Sequence, residues 1–253
     1  MWANHDANTI WDRRTSKDPV TVWEGSVNFE QSQTIGRRWI RKYFHLPCYY
    51  RIDEKPVVCI YDVANFVNGL GGIEKAREAL EWLREEAVRE GLPGVHVQMI
   101  KQGQENPNLS GVDGSRLEMS PMEVFRALGF DSSTHYQYVH FADIDKDYEE
   151  VMPEVVKEWE EVRNTFGKEF YPHVSIGWDS NPRYYEYKEG VLKNNPPEIV
   201  GKALQKAKDY ADRYNQVPLI TINSWNEWTE TSYLEPDSLY GYGYLKEIKK
   251  VFG

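Results

Sequence analysis

The sequence predicts an α/β fold in which parallel strands are covered by helices. Two observations carry this. Five apolar β-type runs recur about 40 residues apart, which leaves room in each repeat for a strand, a loop and a helix. The segments between them carry apolar stripes at helical spacing. Such alternation implies either a barrel or a doubly wound sheet. No linker, low-complexity stretch or break in composition divides the 253 residues, so one domain over 1–253 is expected.

The strand candidates are 56–61, 95–100, 136–141, 171–177 and 217–222. The opening Met1-Trp-Ala-Asn-His-Asp6 reads as the tail of a further strand, followed by helix-like residues Gln31 to Phe44. In 73–90, Ala76, Leu80, Leu83 and Ala87 share one helical face, and Gly91 stops the helix. Residues 120–128 open with Ser120-Pro-Met-Glu123, a capping box. Residues 147–166 form a long acidic helix with a kink expected near Pro153, 197–214 follow a proline pair, and 241–252 make a last helix. Lys101 to Glu118, rich in Gly and Asn, is read either as a substrate-covering loop or as a plain surface loop. Five full strands and one tail do not close an eight-stranded barrel, so the chain is expected to lack its first two βα units.

Charge and composition exclude several partners. The net charge is -10 and the pI about 5.2, against the basic surfaces that nucleic acids and anionic membranes require. No apolar run approaches the roughly 20 residues of a membrane span. Cys48 and Cys59 make no disulfide framework, and Cys59 reads as a small buried hydrophobe. No protein partner is evident, and the compartment is left open. Asp143, Asp145, Asp147 and Glu154 loosely match a calcium loop, but Tyr148 stands where glycine is wanted. No metal and no organic cofactor is expected. Gly69-Leu-Gly-Gly72 reads as a turn rather than a phosphate cradle. His96, inside an apolar run, reads as a core residue.

In either architecture ligands bind at the carboxyl ends of the strands. Those ends carry Tyr61-Asp62, Gln98 with Lys101, His140, Trp178-Asp179 and Asn226-Glu227. The last continues as Asn223-Ser-Trp-Asn-Glu-Trp-Thr-Glu-Thr-Ser-Tyr-Leu-Glu-Pro-Asp237. Glu227 and Glu230, set among Trp225 and Trp228, are the candidate catalytic pair. One carboxyl protonates a glycosidic oxygen while a second assists on the other side of the bond. Indole faces suit the C–H faces of a sugar ring. In a helical turn, residues three apart have Cβ atoms about 5–6 Å apart, which fits the close carboxyls of a retaining mechanism. Two neighbouring carboxylates should also push each other's proton affinities apart. The plainer reading has the acids capping a helix while the tryptophans pack.

The same stretch resembles the signature of the WbsX-type glycosyltransferases, which are similar to glycoside hydrolase family 99, the endo-α-mannosidases. Gly177-Trp-Asp-Ser-Asn-Pro-Arg183 resembles the family's segment after the seventh strand. Trp2-Ala-Asn-His5 resembles the segment ending the third, and 50–61 also fits. The resemblance implies a (β/α)8 barrel of the TIM type holding strands 3–8, truncated at its N-terminus, with an oligosaccharide or polysaccharide substrate. It implies that Glu227 is the base assisting attack by the sugar's own 2-hydroxyl and that Glu230 is the general acid, then base. Trp2, Asn4, His5, Tyr61, Trp178, Asp179, Arg183, Asn226, Trp228 and Glu235 are the implied binding residues. Thr229 stands where the mannosidase branch has histidine, and Thr231 where glycine is usual. The expected function is a retaining glycosidase on α-linked, mannose-like sugars. The alternatives are a glycosyltransferase of cell-surface polysaccharide or lipopolysaccharide assembly, and a non-catalytic sugar-binding or inactive fragment.

Overall fold

The computed structural model describes residues 1–9, 18, 20–103, 107–111, 115–167 and 170–253. It divides into two compact units, one of 1–7 with 22–133, the other of 8–21 with 134–253.

A four-stranded sheet has the order Arg51–Ile52, Lys55–Ile60, His96–Lys101, Ser132–His135. Arg51–Ile52 and Lys55–Ile60 form an antiparallel hairpin, with Asp53 and Glu54 at positive φ in its turn. Lys55–Ile60 runs parallel to His96–Lys101, Val57 opposite His96 and Ile60 opposite Met99. All six residues of His96–Lys101 are buried, as a parallel strand covered on both faces requires. Trp2 makes an isolated parallel bridge to Ile60, in keeping with the strand tail expected at Met1–Asp6.

Helix α1 (Phe29–Trp39) carries a capping box from Asn28 and Gln31 and runs on as a π turn over Ile40–Phe44. Asp62 caps α2 (Val63–Leu70) by accepting from Asn65 N at 2.8 Å. Gly71 closes α2 in the left-handed region at φ 89°, so of the expected turn only Gly71 and Gly72 lie between the helices, and Gly69 belongs to the last turn of α2. Helix α3 (Ile73–Arg89) buries Ala76, Leu80, Leu83 and Ala87, the stripe that the sequence marks. It packs against α1, α2 and α4 (Pro121–Leu128), whose capping box is Ser120 with Glu123. Of the 101–118 segment, residues 104–106 and 112–114 lie outside the described residues.

In the second unit His173–Ser175 pairs in parallel with Thr221–Asn223. Helices α5 (Tyr148–Phe166), α6 (Pro197–Tyr214) and α7 (Gly243–Phe252) cover its core. Tyr138, Tyr148, Trp159, Phe170, Val174 and Leu204 are buried there. Pro153 lies inside α5.

Two strands depart from their expected places: the run 217–222 is a strand only as Thr221–Asn223, and the run 136–141 yields to the residues before it. Residues 136–141 are not a strand; Ser132–His135 is, and Tyr138–His140 make a 3₁₀ turn. The polar run was hidden because its partners are remote in sequence. Ser132 Oγ lies 2.7 Å from His96 Nε2 and 3.1 Å from Gln98 Nε2. These bonds let a serine sit in a fully buried strand. They also make His96 a core residue, and burial lowers its proton affinity. Among the described residues the strands form this sheet and separate two-stranded pairs, not one continuous eight-stranded ladder.

Candidate active site

The candidate acids lie in the second unit, on the loop leaving strand Thr221–Asn223. Asn223 is buried, and its Oδ1 accepts from Gln137 Nε2 at 3.0 Å and lies 2.9 Å from Ser232 Oγ. The Asn223–Ser224 peptide is cis. Ser224 Oγ donates to Ser232 O at 2.8 Å and accepts from Glu227 N at 3.2 Å. These bonds fasten a short antiparallel ladder, with Asn226 opposite Tyr233 and Glu227 opposite Ser232.

The expected helical turn is a single 3₁₀ turn over Trp228–Glu230, with Glu227 just before it in the ladder. Thr231 ends the turn in the left-handed region at φ 53°, the conformation for which glycine is usual. Its Oγ1 donates to Asp179 O at 3.3 Å, and Asp179 N donates to Glu230 O at 2.8 Å. Gly177 permits this approach, because a Cβ there would lie 2.4 Å from Thr231 O.

Both acids converge on one cation. Arg183 is 8% exposed at the end of the 3₁₀ turn Asn181–Arg183. Its Nη1 lies 3.0 Å from Glu230 Oε1 and its Nη2 3.3 Å from Glu227 Oε1. Asp179 sets this turn, its Oδ1 accepting from Asn181 N at 2.8 Å and from Asn181 Nδ2 at 2.7 Å. Thr229 Oγ1 lies within hydrogen-bond distance of Arg183 Nε (3.1 Å), Arg183 Nη2 (2.9 Å) and Glu227 Oε1 (2.7 Å).

The two carboxyls differ in surroundings. The Glu230 side chain is 12% exposed and that of Glu227 36%. Glu230 Oε2 is buried with no hydrogen-bond partner among the described residues. Burial is the largest cause raising the Glu230 proton affinity; the Arg183 charge lowers it and the Glu227 charge raises it. Mutual repulsion, the cause expected from the sequence, is therefore secondary, because a guanidinium touches both acids. Tyr136 faces the pair, and its phenol is raised first by burial and then by the charge of Glu230.

An aromatic wall adjoins the acids. Trp228 stacks on Tyr233 with ring centroids 3.8 Å apart and planes 16° apart. Its Nε1 donates to Glu235 Oε2 at 2.7 Å, which fixes the indole. Trp228, Trp225 and Asn226 are exposed, whereas Trp178 is half-buried and its carbonyl accepts from Leu192 N.

The remaining expected binding residues belong to the first unit. Trp2 bonds through its main chain to Cys59 O and Tyr61 N, and its ring meets Trp39 and Phe66 edge-on. Asn4 is buried and ties down the start of α2: its Nδ2 donates to Asp62 O at 2.7 Å and its Oδ1 accepts from Asp62 N at 2.9 Å. The His5 ring lies 5.2 Å from that of Tyr61. Tyr61 lines a cavity of about 160 Å³ at the carboxyl ends of Lys55–Ile60 and His96–Lys101, with Ile100, Lys101, Gln102 and Val124.

Sequence reasoning marked Thr229 only as a departure from the family pattern and did not place Tyr136 or Asn223 in the site. Thr229 and Asn223 sit within the motif and were within reach of notice; Tyr136 has no local signal. The loosely calcium-like residues are spent otherwise. Asp143 pairs with Lys146, Asp145 with Lys193, and Asp147 caps α5. Among the described residues no group of three His, Cys, Asp or Glu side chains is placed to hold a metal, and no helix is long and apolar enough to cross a membrane.

Comparison with known proteins agrees with this architecture. The family model Glycosyltransferase WbsX matches residues 1–248. A curated relative, "Uncharacterized protein WxcX" of Xanthomonas campestris pv. campestris, is 22% identical over 252 residues, 98% of this chain and 34% of the relative. The chain thus spans about a third of the length of the curated relatives it matches. A solved "Glycoside hydrolase-like protein" superposes with a TM-score of 0.59 at 17% identity, covering 88% of this chain and 61% of that one. The GH99 endo-alpha-mannosidase from Bacteroides thetaiotaomicron superposes at 0.53 and 15% identity, covering 91% and 62%. At these identities the likeness shows the fold, an α/β fold of the class found in TIM-barrel glycosidases. The family match over 1–248 shows that the chain belongs to the WbsX glycosyltransferase family.

Proposed function

We propose that the chain is the catalytic part of a carbohydrate-active enzyme, a retaining glycoside hydrolase acting on α-linked, mannose-like oligosaccharides or polysaccharides. On this reading residues 1–253 act as one barrel domain contributing strands 3–8 of a (β/α)8 barrel. The observation that carries the proposal is the unequal pair on Arg183. Glu230 is nearly buried, has one oxygen without a hydrogen-bond partner among the described residues and is raised in proton affinity, while Glu227 is more open and accepts from both Arg183 and Thr229. One acid is thus suited to hold a proton and its neighbour to take one, the division of labour that glycoside cleavage requires.

In the proposed reaction Glu227 removes the proton of the substrate's 2-hydroxyl as that oxygen attacks the anomeric carbon. The bond to the leaving oxygen breaks, and Glu230 gives that oxygen its proton. Water then opens the anhydro ring at the anomeric carbon. Glu230 takes the water's proton, and the one on Glu227 returns to the 2-oxygen. Two displacements at one carbon retain its configuration. Trp228, rigid on Tyr233 and Glu235, offers an apolar face to a sugar ring. Trp2, Asn4, His5, Tyr61, Trp178, Asp179, Arg183, Asn226 and Glu235 complete the proposed binding set. Of these, Arg183, Asp179 and Asn4 act mainly by holding other groups in place.

The test is hydrolysis of a panel of α-linked oligosaccharides by the full-length protein. Glu227→Gln and Glu230→Gln should each lower turnover by about 10²–10⁴-fold. Unchanged turnover in both would remove the assignment. A second reading, a glycosyltransferase in surface-polysaccharide assembly, is favoured by the family description itself. Saturable binding of a nucleotide sugar, with transfer in place of hydrolysis, would put it first.

A further inference from the structure

We infer that Thr229 is a positioning residue that assigns the two carboxyls their roles, by placing its one hydroxyl proton on Glu227 and so leaving the proton of the pair to Glu230. This rests on the reading of Glu227 and Glu230 as base and acid. The argument is one of donors and acceptors. Arg183 Nε and Nη2 lie 3.1 and 2.9 Å from Thr229 Oγ1. Guanidinium N–H groups only donate, so the hydroxyl oxygen must accept from them. Its single O–H is then free for Glu227 Oε1 at 2.7 Å, the length of a charge-assisted bond.

Glu227 Oε1 thereby accepts from Thr229 and from Arg183 Nη2. Glu230 takes Arg183 Nη1 on one oxygen and buries the other without a hydrogen-bond partner among the described residues. Hydrogen bonds to a carboxylate favour its charged form, and unpartnered burial disfavours it. Arg183 touches both acids, so its charge alone does not choose between them. Of the other titratable groups facing the pair, Tyr136 is raised by burial and by Glu230, and stays neutral at working pH. The threonine hydroxyl adds to the difference that burial makes, because it donates to Glu227.

The experiment is a pH titration by carbon NMR of the full chain labelled at the glutamate carboxyl carbons, with the Glu230 signal assigned by its loss in Glu230→Gln. Glu230 should titrate above the ordinary carboxylate range in the wild type. Thr229→Val keeps the branched shape but donates nothing, and should move that titration down by about one pH unit, a tenfold change in proton affinity. Thr229→Ser should restore the wild-type curve. If the valine variant does not fold, Thr229→Ala replaces it. A folded valine or alanine variant with an unmoved Glu230 titration overturns the role of Thr229 alone, as does a serine variant that titrates like valine. A wild-type Glu230 in the ordinary range overturns the acid assignment, and this inference with it.

Discussion

Replacing Arg183 with methionine should cost little stability near pH 4.5 and about 3 kcal/mol near pH 8. The side chain is 9% exposed and holds Glu230 at 3.0 Å and Glu227 at 3.3 Å. Removing one partner of a buried ion pair costs about 3–5 kcal/mol, because the other charge is left in the interior. The Glu227 arm is 36% exposed, so solvent screens it and it adds no more than about 1 kcal/mol. The low end of the range follows. The pH dependence comes from Glu230, whose folded-state proton affinity is already raised by burial. A raised carboxyl contributes its full stability below the unfolded value of about 4.3 and loses it as pH climbs through the folded value. Arg183 is the charge that opposes this rise. Without it the folded value moves further up and the loss extends over a wider range. Urea unfolding of the variant and the wild type at both pH values, followed by circular dichroism, measures the difference. A loss of equal size at the two pH values would show that Arg183 acts by packing alone, and no loss at either would remove it as the counter-ion of the pair.

Two further outcomes follow from the loop geometry. Gly177→Ala places a Cβ 2.4 Å from Thr231 O and 2.8 Å from Asn195 Nδ2. It should cost about 1–3 kcal/mol in a denaturant melt, since backbone must move, and a melt like the wild type would contradict the close approach. Trp228→Ala removes the stack on Tyr233 and the bond to Glu235, and should weaken binding of an α-linked oligosaccharide at least about tenfold, with a stability loss near 1 kcal/mol. Calorimetry showing unchanged affinity would take this ring out of the sugar wall.

Much of the helical architecture was legible because helix signals are local. The stripe Ala76, Leu80, Leu83 and Ala87, the capping box at Ser120 and the proline entry at Pro197 all stand where pattern places them. Strands were less legible. Ser132–His135 is a buried strand made of polar residues, and only remote partners such as His96 and Gln98 make that tolerable. The aromatic run 136–141 has the composition of a strand but turns instead, burying Tyr138.

The family, the α/β alternation and the two candidate acids are readable along the chain, because each is written in a contiguous stretch of residues. How those acids differ depends on the folded chain. Arg183 lies 44 residues before Glu227, yet its guanidinium and Thr229 meet the pair through contacts within 3.3 Å. The left-handed turn at Thr231 likewise sits against Gly177 and is bonded to Asp179 O. Proton affinity follows solvent access and nearby charge, and both are properties of the folded surroundings that residue order alone does not carry.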